Sequence, residues 1–152
     1  MPNQRYGIKF PFNDSDQGFF LGLNKTTDSE VRSNLIHLIL TVKGSRYFLP
    51  DFGTNLVKYV FEQMDTTTKI AIDSEIREAV SKYIPNLVVN NVEVKTADDI
   101  RLEEDETSDP LTDINSFNFI GESESEYAIR VRIDYSAGDG VFRTKDFVII
   151  NL

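Results

Sequence analysis

Apolar residues recur at helical spacing in two stretches of the chain, and each stretch is flanked by residues that start or stop helices. In the first, Thr27 and Glu30 have capping-box spacing and Gly44 is placed to end the helix. In the second, the helix begins around residues 66–68, and Pro85 stops it. The inward positions are Val31, Leu35, Leu38, Ile39 and Val42, then Ile72, Ile76, Ala79, Val80 and Tyr83. The outward i,i+4 ion pairs are Asp73/Arg77 and Glu78/Lys82.

A turn and a short amphipathic helix are predicted between these two helices. Pro50 and Gly53 favour a tight turn, and Arg46 and Asp51 bracket it as opposite charges. The apolar residues of the short helix are Leu56, Val57, Val60 and Phe61. The order of elements is therefore long helix, turn, short helix, long helix.

After Leu87 the apolar period changes from helical to two, which is typical of half-buried strands. Val92 and Val94 alternate with charges, and a second strand runs through the alternating residues 127–135. Residues 137–140 predict a turn, after which 142–152 returns as a third strand that is apolar on both faces around 147–150. We expect an α+β fold, in which two main helices and a short one pack on a mostly antiparallel three- to four-stranded sheet.

The chain of 152 residues fits one domain, with an N-terminal arm over 1–26 and an acidic insertion over about 96–125. The arm mixes glycines with phenylalanines, which indicates an irregular segment or short hairpin pinned by aromatic contacts. Residues 98–126 hold 11 acidic groups and one basic group, so the net charge of this segment is −10. The net charge of the whole chain is −9, so the remaining residues together carry +1. The insertion either folds against a neighbour or is a solvated excursion.

Charge and composition exclude several classes of function. An acidic chain without a basic stripe is a poor ligand for nucleic acid. No run of 18 apolar residues and no secretory leader occurs, so we expect no membrane insertion. The absence of Cys excludes disulfides and thiol chemistry, and a single histidine, His37, excludes a His-rich metal site. Weak cation binding by 103–109 stays open, but we expect no metal site and no cofactor.

The stretch from Gly44 to Glu62 resembles a known family, the small baseplate wedge protein of contractile phage tails. This is the gene product twenty-five or GPW family, and TssE is its type VI secretion relative. The matching positions are Thr41, Gly44, Ser45, Arg46, Pro50, Asp51, Phe52, Gly53, Leu56, Phe61 and Glu62. The resemblance covers roughly 28–95 well and the C-terminal strands loosely.

The resemblance implies a structural subunit that docks on the helical core of a baseplate wedge. In the family, the second helix stops at Glu-Pro-Arg, whereas this chain has Ile84, Pro85 and Asn86. Both charges are lost, so we expect docking by shape and apolar contact rather than by ion pairs. The residues expected to dock on the wedge core are Arg46, Pro50, Asp51, Phe52, Gly53, Tyr83, Pro85 and Asn86.

The resemblance also implies that the chain templates assembly of the tail sheath, whose subunits join by exchanging extended arms. A template of this kind accepts a strand at a sheet edge by main-chain hydrogen bonds. The residues expected to contact the sheath are Arg130, Arg132, Phe147, Val148, Ile149 and Ile150. The implied partners are other wedge proteins, the tail sheath protein and the central hub or tube proteins. The implied location is the tail baseplate of a virion, which is assembled in the cytoplasm of the bacterial host.

Three further functions are weighed against this interpretation. A type VI secretion or tailocin component of the same fold is the first alternative. Peptidoglycan hydrolysis is the second, because members of the family have been labelled lysozyme-like and Glu30, Asp51 and Glu62 are available carboxylates. An unrelated α+β adaptor is the third. His37 lies at a polar helical phase without a nucleophile elbow, so we expect no catalytic residue.

Overall fold

The computed structural model describes residues 7–12, 21–96, 99, 116–118, 129–137 and 144–152. Two α-helices and one 3₁₀ helix precede four strands. The helices are α1 (Thr27–Leu40), the 3₁₀ helix (Leu56–Phe61) and α2 (Thr66–Tyr83), and the strands are β1 (Leu87–Thr96), β2 (Ser116–Asn118), β3 (Ile129–Ala137) and β4 (Thr144–Asn151). The predicted α+β class is confirmed.

The strands form one sheet in the order β1-β3-β4-β2. β3 pairs antiparallel with β1 on one side and with β4 on the other, and β2 pairs parallel with residues 149–151 of β4. A bulge interrupts the β1–β3 register between Val89 and Asn91. β3 therefore has a paired strand on each side. Addition of a further strand requires an edge strand, which β3 is not.

The first helix begins one residue earlier than predicted and ends at Leu40, four residues before Gly44. Thr26, not Thr27, is the N-cap, and it forms the capping box with Ser29. The helix ends at Leu40 because Thr41 is extended and Val42 forms a parallel bridge with Thr54. Gly44 lies beyond the helix in the following turn, where it adopts a φ of 87°.

The second helix follows the prediction closely. Asp65 caps it by accepting the Thr68 amide hydrogen at 2.7 Å, and it ends at Tyr83, two residues before Pro85. The Asp73–Arg77 ion pair is present at 2.9 Å. The predicted partner of Lys82 is wrong, because its ammonium lies 3.9 Å from the Asp51 carboxylate in the preceding turn.

The short helix is present, but its inward face differs from the prediction. It is a 3₁₀ helix, in which residues three apart share a face. Leu56 and Tyr59 are therefore the buried positions, whereas Val57 and Phe61 are exposed.

The inner face of the sheet and the two long helices enclose one core. Its fully buried aliphatic side chains include Leu35, Leu38, Ile72, Ile76, Ile133, Val148 and Ile150. Alternation along β3 places Ile129, Val131 and Ile133 inward and Arg130 and Arg132 on the other face. The helices that the structure describes are all too short or too polar to span a bilayer.

The described residues of the predicted arm, 7–12 and 21–26, form a hairpin-like contact. Ile8 bridges antiparallel to Leu23, and the Lys9 amide donates to the Gly22 carbonyl at 2.9 Å. The acidic insertion lies outside the described residues apart from Thr96, Asp99 and β2, so its predicted contact with a neighbour stays a prediction.

We predict that Ile76→Ala destabilises the protein by about 2–5 kcal/mol, because it leaves a cavity in the centre of the core. Ile70→Ala, on the same helix but 64% exposed, is the matched control and should change the free energy of unfolding by about 0.5 kcal/mol or less. Urea denaturation of both variants measures this difference. Equal losses would mean that the two residues are not buried and exposed as described.

Candidate functional site

The turn between α1 and the 3₁₀ helix is closed by main-chain hydrogen bonds at its base and at its tip. At the base, the Thr54 amide donates to Thr41 at 2.8 Å, and the Lys43 amide donates to Thr54 at 3.1 Å. Nearer the tip, the Gly44 amide donates to Pro50 at 2.7 Å. The Thr54 hydroxyl adds a buried bond to the Ile39 carbonyl at 2.7 Å. The turn is therefore fixed to the end of α1.

Gly53 is required at the base of this turn for two reasons. Its φ of 113° lies in the region that side chains rarely adopt. A Cβ at this position would also overlap the carbonyl oxygen of Thr41. The turn can close only because residue 53 has no side chain.

Glu75 of α2 anchors the start of the 3₁₀ helix. Its carboxylate accepts the Asn55 amide hydrogen at 2.6 Å and the Tyr59 hydroxyl hydrogen at 3.2 Å. The ammonium groups of Lys43 and Lys58 lie 3.9 and 4.0 Å from the same carboxylate. One largely buried acid therefore ties α2 to both sides of the turn.

An aromatic cluster joins four separate segments at one corner of the molecule. Phe10 of the arm stacks on His37 of α1 at 5.1 Å, and His37 lies 5.8 Å from Phe52 of the turn. Phe52 meets Tyr83, the last residue of α2, in an edge-on contact at 5.0 Å. Arg46 covers the Phe52 ring at 4.1 Å. We call these five residues the aromatic corner.

His37 is held in its neutral form by its contacts in this corner. Arg46 donates from Nη2 to Nε2 of the imidazole at 2.9 Å, and only an unprotonated Nε2 can accept that bond. Partial burial, and then the charge of Arg46, lowers the pKa of His37 below its ordinary value of 6.5. The histidine is thus a structural acceptor, and we assign it no catalytic role.

The tip of the turn carries two highly exposed aromatic side chains. Tyr47 is 92% exposed and Phe48 is 94% exposed, and their rings contact each other at 5.3 Å. Leu49 beside them is also exposed. Such a cluster on a fixed turn is typical of a protein–protein contact.

The structure brings together the two halves of the predicted docking site. Phe52 and Tyr83 are in contact, and Asp51 faces Lys82 beside Tyr83. Pro85 and Asn86 are exposed directly after α2. The sequence prediction missed Phe10 and His37, because the arm has no periodicity and the helical phase of His37 indicates a polar face.

The predicted sheath residues are divided between the two faces of the sheet. Arg130 and Arg132 lie on the outer face, where Arg132 covers the Phe147 ring at 4.4 Å and Arg130 donates to Asn151 at 3.1 Å. Ile149 is partly exposed. Val148 and Ile150 are fully buried, because the alternation of the strand directs their side chains into the core. Contact of these strands with the sheath stays a prediction.

Two of the three carboxylates considered for hydrolysis, Asp51 and Glu62, lie in exposed positions. Asp51 also lies beside the Lys82 ammonium, at 3.9 Å. In the part of the chain that the structure describes, no three His, Cys, Asp or Glu side chains could hold a metal ion. Residues 103–109 lie outside that part.

The sequence of this chain is similar to the sequences of known tail proteins. The family described as baseplate wedge protein gp25 matches residues 25–109. Baseplate wedge protein gp25 of Enterobacteria phage T4 is 37% identical over 57 residues, which are 38% of this chain and 43% of the T4 protein. The aligned part therefore spans less than half the length of that relative.

Two solved structures share the fold. A protein from Geobacter sulfurreducens that carries the name tail lysozyme aligns with a TM-score of 0.55 and 19% identity, over 84% of this chain and 92% of its own. A chain of the anti-feeding prophage baseplate aligns with a TM-score of 0.53 and 13% identity, over 97% of this chain and 84% of its own. At these identities, the likeness shows the fold alone.

We predict that Gly53→Ala destabilises the protein by about 2 kcal/mol or more, through backbone strain and the overlap with Thr41. Gly44→Ala is the matched control, because Gly44 also has a positive φ but has open space around its Cβ position. It should cost only about 1 kcal/mol. Urea denaturation compares the two, and an equal or smaller loss for Gly53→Ala would contradict the close approach.

We predict that the protein loses stability as the pH falls below about 6.5, beyond the loss due to its carboxylates. The unfolded chain binds a proton at His37 near that pH, whereas the lowered pKa of the folded chain resists protonation. Urea midpoints between about pH 7.5 and 5.5 measure the effect. His37→Gln removes the single histidine, so its midpoint should depend less on pH. Coinciding curves would contradict the assignment.

Proposed function

The chain belongs to the baseplate wedge protein gp25 family, and from this premise we propose that it is a structural subunit of a contractile-tail baseplate. The match over residues 25–109 includes the turn and both long helices, which supply every residue of the aromatic corner except Phe10 of the arm. The fold shared with a chain of the anti-feeding prophage baseplate supports the same role. Its place would be the tail baseplate of the particle, assembled in the host cytoplasm.

Within that role, we propose that the aromatic corner and the exposed turn dock on the core of the baseplate wedge. The observation that carries this proposal is the contact between Phe52 and Tyr83, which joins the turn to the end of α2. The proposed docking surface consists of Arg46, Pro50, Asp51, Phe52, Gly53, Tyr83, Pro85 and Asn86, with Tyr47 and Phe48 at its tip.

The division of labour within this surface follows from burial. Arg46, Phe52 and Gly53 are held by contacts inside the chain and give the surface its shape. Tyr47 and Phe48 have most of their area free, so they supply the apolar contact. A rigid turn loses little conformational entropy on binding, which favours affinity.

The chemistry of the surface makes docking insensitive to salt. Ile84, Pro85 and Asn86 offer no charge at the end of α2. Of the two charged residues in the surface, Arg46 is engaged with His37 and Phe52, and Asp51 lies beside the Lys82 ammonium. Ion pairs between exposed groups are screened by salt, whereas apolar contact is not. Wedge association should therefore persist when the ionic strength is raised from about 0.1 to 0.5 M.

We predict that Phe48→Ser weakens capture of the wedge proteins by about tenfold or more, as expected for an aromatic residue at the centre of an interface. Phe61→Ser is the matched control, because Phe61 is 84% exposed but lies outside the proposed surface. Affinity purification of each tagged variant from cells that produce the particle, with quantitative mass spectrometry, compares them. Equal capture by Phe48→Ser and the unmodified chain would refute the placement.

We also propose that the sheet serves as the first template for the tail sheath. Arg130, Arg132, Phe147 and Ile149 present mixed charged and apolar chemistry on its outer face, which can fix the position of an arriving subunit. Val148 and Ile150 contribute by holding β4 in the core. The arm itself would join by main-chain hydrogen bonds at a sheet edge.

A second candidate is the same structural role in a secretion or tailocin particle, which the fold of the anti-feeding prophage chain favours. The proposed surfaces are the same in both cases. Identification of the wedge and sheath proteins that co-purify with the chain separates a phage tail from the other particles.

A further inference from the structure

The N-terminal arm is fixed to α1 by a buried amide side chain. Asn24 is only 2% exposed, and its side-chain nitrogen donates to the Ile8 carbonyl at 3.2 Å. Its side-chain oxygen lies 3.1 Å from the hydroxyl of Ser33, which is buried on α1. A buried polar side chain with partners on two segments fixes the position of one segment on the other. The described part of the arm is therefore a built element of the fold.

Main-chain hydrogen bonds hold the two sides of the arm together around this amide. The Lys9 amide donates to the Gly22 carbonyl at 2.9 Å, and the Asn24 amide donates to the Gly7 carbonyl at 3.1 Å. The stack of Phe10 on His37 is a second attachment of the arm to α1. The arm is thus closed by its own main chain and is attached to the helix at two positions.

Phe12 continues the aromatic corner beyond its five members. Its ring meets the Phe10 ring edge-on at 5.2 Å, and Phe10 in turn stacks on His37. Phe12 is nevertheless 60% exposed, whereas Phe10 and Phe52 are partly buried. The series of ring contacts therefore ends in an aromatic side chain that has most of its area in contact with solvent.

His37 connects this exposed ring to the exposed tip of the turn. On one side it stacks on Phe10, which carries Phe12. On the other side it accepts a hydrogen bond from Arg46, which directly precedes the two exposed aromatic residues 47–48. The proposed docking surface is therefore continuous with the arm through packed side chains. Exposed aromatic residues that are held in place are typical anchors of protein interfaces, because they lose little conformational entropy on binding.

We propose that the docking surface extends onto the N-terminal arm, and that Phe12 contacts the same wedge protein as Phe48. The inference rests on the proposed docking function and names a further residue that performs it. The arm precedes residues 25–109, which are the residues that the family model matches. Phe12 therefore adds a contact to the part of the surface that the turn and the two long helices provide.

The chemistry of the arm indicates what the partner presents to it. Lys9 is the only charged residue in 7–12, and Ile8 is 50% exposed on the same segment. The partner should therefore offer aliphatic or aromatic side chains to Phe12 rather than a charged patch. Contact of this kind is not screened by salt, in agreement with the proposed docking chemistry.

The test compares Phe12→Ser with Phe61→Ser in affinity purification from cells that produce the particle. Both changes replace an exposed phenylalanine with serine, but Phe61 lies outside the proposed surface. Phe12→Ser should weaken capture of the wedge protein by about fivefold or more, whereas Phe61→Ser should leave it unchanged. The urea midpoint of Phe12→Ser should equal that of the unmodified chain, because a contact with the partner does not stabilise the free subunit.

Photocrosslinking gives a second readout that does not depend on the loss of a side chain. A photoreactive phenylalanine analogue in place of Phe12 should form an adduct with the wedge protein that Phe48→Ser captures poorly. No adduct, or an adduct with a different protein, would overturn the contact. Full capture by Phe12→Ser together with weakened capture by Phe48→Ser would overturn the extension while docking at the turn stands. Full capture by both variants would overturn docking, and the extension with it.

Discussion

The close approach of Gly53 to Thr41 is the constraint on which the candidate site depends. It lets the chain return to the end of α1, where Thr54 bonds to both Thr41 and Ile39. This return positions Phe52 between His37 and Tyr83. Without it, α1, the turn and α2 would have no common corner.

Polar contacts then hold the corner in place and leave its tip free. Glu75 fixes the start of the 3₁₀ helix, and Arg46 bonds to His37 while covering Phe52. The turn can therefore present Tyr47 and Phe48 to solvent without collapsing onto the core. A rigid base with exposed aromatic residues is the arrangement expected of a subunit whose function is to be bound.

The edges of the sheet are likewise held by polar contacts, in which side chains bond to outward main-chain groups. Arg77, Asp99 and Asp146 each occupy an edge group that would otherwise attract any unpaired strand. Such caps reduce unspecific pairing of the free subunit.

Sequence periodicity predicted the parts of this structure that depend on local pattern. The bounds of α2 and the inward alternation of the strands follow from apolar spacing and Pro85, and the resemblance located the turn. The early end of α1 was missed because it depends on the bridge between Val42 and Thr54. The inward face of the short helix was missed because a 3₁₀ helix places residues three apart on one face. The ring contacts of His37 and the caps on the strand edges arise only in three dimensions, where segments distant in sequence meet.

Site-specific photocrosslinking in the assembled particle tests the docking account most directly. A photoreactive phenylalanine analogue in place of Phe48 should form an adduct with another baseplate wedge protein, whereas the same analogue in place of Phe61 should not. Absence of a wedge adduct from position 48, or the same adduct from both positions, would contradict the account.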